Sequence, residues 1–307
     1  MSIARRLTIQ TGEDLRPFKF TIRISASNTE YELPLTAPNG LEPALTVDWG
    51  DGTNISIYST TSSNRFHTYA AAGDYQISIS GLCPGFKVDN NSTYKGFYIS
   101  VDDWGEVQMK EINFFGCSNL TTLPIDGSGN AILNEGLRDV KNFDLTFNRT
   151  GITVIPIGLF DYSTEVTSFI NTFVFCQGLT SIPDNLFDNN TEVTSFAGTF
   201  NALINVSTIP TGIFDNNTKV INFSSVFRNC RALTQIPEAL FTNNQSVTSF
   251  SNAFNMATEV NQLQNGSTPT DTNGLEIWER TPTPTGTDCF AFCTGLSNFN
   301  QIPTTFK

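Results

Sequence analysis

The 307 residues carry a net charge of −12, with 17 Lys and Arg against 29 Asp and Glu. Nucleic acid and anionic membrane surfaces are both bound through basic patches, so this balance excludes them as expected partners. The sequence also lacks the run of about 18 apolar residues that a membrane-spanning helix needs, and its length leaves room for two domains.

Residues 1–18 are polar and contain Arg5, Arg6 and Arg16. They fit either an N-terminal arm that docks on another surface or a first edge strand, and the sequence leaves both interpretations open. The opening residues turn polar too early for a secretory signal peptide. We therefore expect a surface protein that is exported by another route or released by lysis, as a part of a virus particle would be.

Residues 19–104 read as a series of short strands separated by turns. The stretch Phe18–Ser25 alternates apolar and polar residues, which predicts a strand with one buried face. Further strands are predicted at 31–35, 45–49, 55–58, 73–81 and 96–101. Regular strand spacing of this kind is typical of a β-sandwich.

Three motifs occur in order within this region: Val47-Asp-Trp49-Gly50-Asp51-Gly52, His67-Thr-Tyr69 and Gly73-Asp-Tyr75-x-Ile77-x-Ile79. Together they resemble the PKD (polycystic kidney disease) domain, an immunoglobulin-like β-sandwich that serves as a spacer in surface proteins. The segment lacks the aromatic residue that this family often carries between Trp49 and Gly50. The resemblance implies structural positions for Asp51, in a turn between glycines, and for His67, the only histidine.

From about Gly151 to Ala257 the sequence repeats with a period of 27 residues. Proline, valine and three phenylalanine positions recur at this step, as Pro156, Pro183, Pro210 and Pro237 illustrate. A fixed period of this length predicts a solenoid in which each repeat buries its apolar side against its neighbours. Within one repeat, strands are predicted at 179–182 and 193–196, with a short helical turn between them that begins after Pro183. The recurring phenylalanines are interpreted as core.

The unit Val-x-x-Phe-x-x-x-Phe-x-x-Cys-x-x-Leu-x-x-Ile-Pro is complete at Val166–Pro183 and Val220–Pro237. It resembles the BspA-like leucine-rich repeats of bacterial and viral surface proteins, and Met109–Leu120 resembles the general leucine-rich-repeat consensus. The resemblance implies a mainly β chain, with a PKD-like β-sandwich at 19–104 and a right-handed leucine-rich-repeat solenoid with short helical turns at 105–307. It implies a scaffold and leaves the function open.

Four of the six cysteines, Cys117, Cys176, Cys230 and Cys293, occupy one column of the repeat, which predicts buried thiols. Cys289 and Cys293 are close enough in sequence to pair, and their oxidation state stays open. No further Cys or His clusters with them, so a zinc site is not expected.

Two sets of carboxylates are weak candidates for Ca²⁺. Asp102 and Asp103 lie at the junction between the two predicted domains, and Asp188 and Asp215 recur at the repeat step. The alternative at both places is ordinary turn chemistry.

Residues 258–288 interrupt the period with a long insertion. A long loop without regular structure is often functional, and Trp278, flanked by Ile277 and Glu279, is the best candidate for contact with a partner. The alternative is that Trp278 folds back as a lid over the last repeats.

No set of nucleophile, base and orienting residue can be assembled from the sequence, so an enzyme is not expected. We expect a non-enzymatic structural or adhesion protein of a bacteriophage particle (a fibre, tail or capsid decoration), located in the virion. Its partners would be other virion proteins or a protein or glycan of the host surface. A bacterial cell-surface adhesin is the alternative. A terminal repeat needs a cover, which points to a homo-oligomer or a larger assembly.

Overall fold

The computed structural model describes residues 15–88, 92–132, 134–256, 268–270 and 275–307. Within these ranges the chain is mainly β, and every helix is a 3-10 turn of three residues. Residues 1–14 of the predicted arm lie outside the described residues. Residues 258–267 and 271–274 of the predicted insertion also lie outside them.

The described strands are β1 (Phe18–Ile24), β2 (Thr29–Glu32), β3 (Ala44–Asp48), β4 (Asn54–Ile57), β5 (Phe66–Tyr69), β6 (Gly73–Leu82), β7 (Gly85–Lys87), β8 (Tyr98–Asp103) and β9 (Glu111–Asn113). Five of them form an antiparallel sheet in the order β4-β3-β6-β1-β8. Strands β2 and β5 form an antiparallel pair, and β7 and β9 form a parallel pair. The 3-10 turns lie at Pro38–Gly40, Ser63–Arg65, Lys95–Phe97, Glu135–Leu137, Ile277–Glu279, Phe299–Gln301 and Thr304–Phe306.

The alternation in β1 decides which face of the first sheet is buried. Phe18, Phe20, Ile22 and Ile24 are all buried, whereas the residues between them are partly or fully exposed. The strand predicted at 96–101 begins only at Tyr98, because a 3-10 turn occupies the residues before it. Strand β8 is joined to β2 by a buried hydrogen bond of 2.8 Å between the hydroxyls of Tyr98 and Tyr31.

In the repeats the chain forms stacked turns where the sequence predicts strands. We call the segment equivalent to 168–175 in each repeat the turn ribbon. The strand predicted at 193–196 reduces to a single parallel bridge residue, Ser195, and the one predicted at 179–182 is absent; both predictions were wrong. The bridges that join successive ribbons run through Asn142, Ser168, Ser195, Asn222, Ser249 and Thr285.

Two positions in each ribbon adopt left-handed backbone. In the ribbon 168–175 these are Asn171 (φ 57°) and Phe175 (φ 60°). The column of Asn171 also contains Leu145, Gly198, Ser225, Asn252 and Asp288. The column of Phe175 also contains Gly116, Arg149, Ala202, Asn229, Met256 and Phe292. A positive φ at every fourth residue folds the ribbon into consecutive turns, which is why it is not an extended strand.

The left-handed residues also turn alternate N–H groups toward the next repeat. The amides of Phe169, Asn171, Phe173 and Phe175 donate to the carbonyls of the following ribbon at 2.8–3.1 Å. Every ribbon from 142–149 to 249–256 repeats this set of four bonds. The residue just before a ribbon also donates backwards in the four repeats from 168–175 to 249–256, as Thr194 N does to the Thr167 carbonyl (2.9 Å).

Phenylalanine rings fill the space behind the ribbons in three columns. The first contains Phe86, Phe114, Phe147, Phe173, Phe200, Phe227, Phe254 and Phe290, with ring centroids 5.5–6.4 Å apart. The second contains Phe143, Phe169, Phe196, Phe223 and Phe250, and it interleaves at 4.7–4.9 Å with the third, Phe160, Phe187, Phe214 and Phe241. All these rings are buried, so the recurring phenylalanines are core, as predicted.

The N-terminal part covers the first repeat. Phe86 of β7 supplies the first ring of the long column, and Val101 of β8 donates to the Thr122 carbonyl at 2.9 Å. Arg16 adds ion pairs to Asp103 (2.6 Å), Glu106 (3.1 Å) and Glu135 (2.8 Å). This end of the stack is therefore closed.

Replacing Phe196 with Ala should lower the free energy of unfolding by about 3–5 kcal/mol, because the ring contacts Phe169, Phe187, Phe214 and Phe223 with no exposed surface. Denaturant unfolding measures the change. Phe175→Ala is the control, since that ring is 42% exposed and its loss should change stability by less than about 0.5 kcal/mol. Equal effects of the two substitutions would contradict the buried column.

Candidate functional site

The three residues predicted to contact a partner form the 3-10 turn Ile277–Glu279. Ile277 is fully buried, Trp278 is half-buried and Glu279 is exposed. The Trp278 ring lies 6.3 Å from that of Phe290 and 6.1 Å from that of Phe306. Trp278 thus lies against the last repeat, the second of the two alternatives. Contact of Trp278 and Glu279 with a partner stays a prediction, whereas Ile277 could contribute only if this turn moved away from the core.

The turn is fixed by the residues on either side of it. The Glu279 carboxylate accepts a hydrogen bond from the Glu276 amide (3.0 Å), and Glu276 in turn accepts one from Asn298 Nδ2 (2.9 Å). The Thr268 hydroxyl also donates to Glu276. Burial raises the pKa of Glu276, against the lowering effect of its bonds from Thr268 and Asn298. The contacts hold Trp278 in one place on the end of the repeat stack.

Arg280, next to this turn, ends a ladder of asparagines. Asn190, Asn217 and Asn244 are buried, and each Nδ2 donates to two carbonyls of the preceding repeat. At the next level the guanidinium of Arg280 donates to the Asn244 carbonyl (3.1 Å) and the Phe241 carbonyl (3.0 Å). Its Cζ also lies 5.7 Å from the Phe250 ring centroid. Arg280 therefore takes the place of a further asparagine.

Sequence reasoning missed the role of Arg280. Asn190, Asn217 and Asn244 recur at the repeat step, but the insertion breaks the period before Arg280 is reached. The available signal was a lone cation in a region poor in Lys and Arg, within the insertion that follows the last asparagine of the ladder.

The first pair of calcium candidates lies on β8 with its carboxylates already engaged. Asp102 accepts hydrogen bonds from Thr21 Oγ1 (2.7 Å), Gln76 Nε2 (3.0 Å) and Ser100 Oγ (2.6 Å). Asp103 pairs with Arg16. Across the described ranges, no group of three or more His, Cys, Asp or Glu is arranged to hold a metal ion.

The second pair belongs to a column of carboxylates on the outside of the repeats. Burial raises the pKa of Asp188, and the charges of Asp161 and Asp215 above and below it raise it further, despite a hydrogen bond from Asn216. The three carboxylates repel one another as the column stands. A Ca²⁺ shared by Asp188 and Asp215 stays a prediction.

All six cysteines are buried, and none of them forms a disulfide, Cys289 and Cys293 included. Burial raises the pKa of the Cys176 and Cys230 thiols to about 12. Their Sγ atoms donate to the carbonyls of Phe147 (2.9 Å) and Phe200 (3.0 Å), each in the preceding repeat. The cysteine column thus serves the stacking of repeats.

The single histidine lies in a structural cluster. His67 Nε2 is 2.7 Å from Asp51 Oδ2, and its ring stacks on Trp49 at 4.8 Å. Burial alone would raise the pKa of Asp51, but hydrogen bonds from Thr53 and His67 outweigh it and the pKa is lowered. The Tyr69 hydroxyl closes the cluster by donating to the Trp49 carbonyl (2.9 Å).

No protein-family model matches this chain, and no curated protein shows significant similarity to it. The resemblances to PKD domains and to BspA-like repeats accordingly stay expectations. None of the helices in the described part of the chain has the length and apolar character needed to cross a bilayer.

Replacing Arg280 with Met should lower the free energy of unfolding by about 2–4 kcal/mol, because it leaves the carbonyls of Asn244 and Phe241 buried without these donors. Denaturant unfolding measures this. Arg23→Met is the matched control, since Arg23 is exposed and pairs with the exposed Asp74; it should leave the free energy of unfolding unchanged within the error of the measurement. A loss no larger than that of the control would show that the ladder needs no cap.

Replacing Asp188 with Asn should raise the melting temperature at neutral pH. The pKa of Asp188 is higher in the folded state than in the unfolded chain. Stability therefore falls as pH rises through the interval between these two pKa values. An uncharged Asn at this position removes that loss. EDTA tests the Ca²⁺ prediction, because a melting temperature that EDTA leaves unchanged in both proteins would contradict it. If EDTA instead lowers it in the native chain but not in the variant, the carboxylate column holds a cation.

Proposed function

We propose that this protein is a non-enzymatic structural or adhesion component of a virus particle, which works by surface contact. In this proposal residues 19–104 form a PKD-like β-sandwich used for mounting, and residues 105–307 form a right-handed leucine-rich-repeat solenoid that projects from it. The partners are other virion proteins or a protein or glycan of the host surface.

One observation carries the proposal: the residues that recur in each repeat serve the stacking of repeats. The phenylalanine columns, the asparagine ladder and the cysteine thiols all bond or pack between repeats, with buried side chains. What remains for function is the outside of the stack. It presents small uncharged residues such as the exposed Thr194 and the partly exposed Ser224, and such a surface fits recognition by shape.

The N-terminal part supports the proposed mounting role. It closes the first repeat through β7, β8 and the three ion pairs of Arg16, so that the two parts meet without a flexible joint. A spacer held this way transmits orientation to the stack. Trp278 and Glu279, at the far end, are the proposed contact residues.

Particles purified from a virus-producing culture of the source organism, labelled with gold-conjugated antibody against residues 105–307, should carry gold at one regular position. Electron microscopy measures this, and mass spectrometry of the same particles should detect the chain in fixed stoichiometry. Labelling confined to bacterial envelopes would favour the cell-surface adhesin. Labelling of neither would reject both roles.

A further inference from the structure

The repeat that contains Phe147 is one residue shorter than its neighbours in the turn that follows the ribbon. Phe147 and Pro156 are nine positions apart. The equivalent Phe and Pro are ten positions apart in the repeats around it, at Phe114 and Pro124, Phe173 and Pro183, Phe200 and Pro210, and Phe227 and Pro237. Where the next repeat has Gln177 and Gly178, this one has only Gly151. The repeat therefore lacks one of the residues that cover the stack at this level.

The shortened turn leaves an open depression on the surface of the stack, which we call the Gly151 depression. It has a volume of about 450 Å³ and is lined by Ser118 of the preceding repeat, by Arg149 and Gly151, and by Phe175, Gln177 and Gly178 of the following repeat. A Cβ added to Gly151 would lie 2.3 Å from the Ser118 carbonyl oxygen, so no side chain can occupy this position. The volume is in the range of small-molecule sites.

The polar side chains that line the Gly151 depression have no partner of their own. Arg149, Gln177 and Ser118 are exposed, and within the described ranges their side chains make no hydrogen bond or ion pair. The Arg149 Cζ lies 5.3 Å from the centroid of the Phe175 ring. A guanidinium that stacks on an aromatic ring keeps its planar set of N–H donors available for a carboxylate.

The fold does not require large side chains at Arg149 and Phe175. Both residues have left-handed backbone, with φ of 59° and 60°, which disfavours bulky residues. The same column contains Gly116 in the repeat before them and Ala202 in the repeat after them. The Phe175 ring is also 42% exposed, so it adds little to the core. A ligand therefore explains this pair better than packing does.

The charge around Arg149 favours an anionic ligand. In sequence the nearest carboxylates are Asp144 and Asp161, and the neighbouring turns at 116–124 and 175–183 contain none. The chain as a whole carries a net charge of −12, so the charge at this place is opposite in sign to the net charge. An anionic group bound here gains the attraction of the guanidinium without repulsion from an adjoining carboxylate.

We infer that the Gly151 depression binds an acidic sugar residue of a glycan, of the uronic or sialic acid class. The sugar carboxylate pairs with the Arg149 guanidinium, and the C–H face of the sugar ring packs on the exposed part of the Phe175 ring. Sugar hydroxyls bond to the amide of Gln177 and the hydroxyl of Ser118. An acidic peptide side chain would use the cation but leave these two groups without a partner, and a neutral sugar would leave the cation unused. The inference rests on the proposed function, since it identifies the partner as an acidic glycan of the host surface.

An array of defined oligosaccharides that contain sialic, glucuronic or galacturonic acid tests this with the full chain. At least one of them should be bound, and the same oligosaccharide with its carboxylate reduced to an alcohol should bind at least about tenfold more weakly. Calorimetric titration with the bound oligosaccharide gives the Kd. Arg149→Gln and Phe175→Ala should each raise this Kd at least about tenfold, because each removes one of the two main contacts.

Arg138→Gln is the matched control. Arg138 is also exposed and lies over an aromatic ring, with its Cζ 5.6 Å from the centroid of Tyr162. Asp139 and Asp161 adjoin the two members of that pair in sequence, so the pair is not expected to attract an anion. Arg138→Gln should therefore bind the oligosaccharide like the native chain. Equal melting temperatures for the three variants and the native chain establish that the variants are folded.

Any of four results would overturn the sugar site: no acidic oligosaccharide is bound, the reduced form binds equally well, Arg149→Gln binds like the native chain, or Arg138→Gln weakens binding as much as Arg149→Gln. Equal competition by an acetylated peptide that contains Glu would overturn it in favour of an acidic peptide. Gold labelling of particles together with an array that binds nothing would reject the sugar site and leave the proposed function standing. Binding on the array without labelled particles would reject the virion role and leave the sugar site standing.

Discussion

The stacking of one turn ribbon on the next is the interaction on which the rest of this structure depends. Four N–H groups in each repeat reach four carbonyls in the following one, and they can do so only because two residues per ribbon are left-handed. The side chains then have little freedom. Each phenylalanine meets its equivalent one repeat away, and burial of a ring contributes about 1.5–3 kcal/mol. Backbone bonds thus set the spacing, and the aromatic columns supply most of the apolar stabilisation.

Polar residues inside the stack are also held by bonds between repeats. A buried amide or thiol is tolerated when it has a partner. In the asparagine ladder and at Cys176, Cys230 and Cys293, that partner is a carbonyl of the preceding repeat. Asn217 and Cys230 illustrate this, with bonds of 3.0–3.1 Å to carbonyls one repeat earlier. The ladder must then stop somewhere. Arg280 stops it by spreading one guanidinium over two carbonyls, which a single asparagine amide does at every earlier level.

Much of the architecture could be predicted from the sequence, because residues one period apart lie next to each other in the stack of repeats. Columns of Phe at a constant step, such as Phe169 and Phe196, require stacked repeats whatever the local backbone. The local backbone itself could not be predicted, since Leu145 and Phe175 are residues that rarely take positive φ. Short strands were therefore expected where turns occur. Tertiary stacking overrides the local preference, and only the next repeat makes that conformation favourable.

The candidate site was predictable only in part. The sequence singles out Trp278 in a polar loop, but sequence alone could not show that its ring lies against the last repeat. That contact depends on Phe290 and Phe306, which lie well apart from it in sequence.

The unequal closure of the two ends has a mechanical consequence. Each repeat is held only by its neighbours, so the stack opens from whichever end is weaker. The N-terminal end is clamped by Arg16 and its three carboxylates, whereas the far end relies on the short segment around Arg280 and Phe306. Under tension along its axis the molecule would therefore unzip from the tip, one repeat at a time, and the base would be the last part to yield.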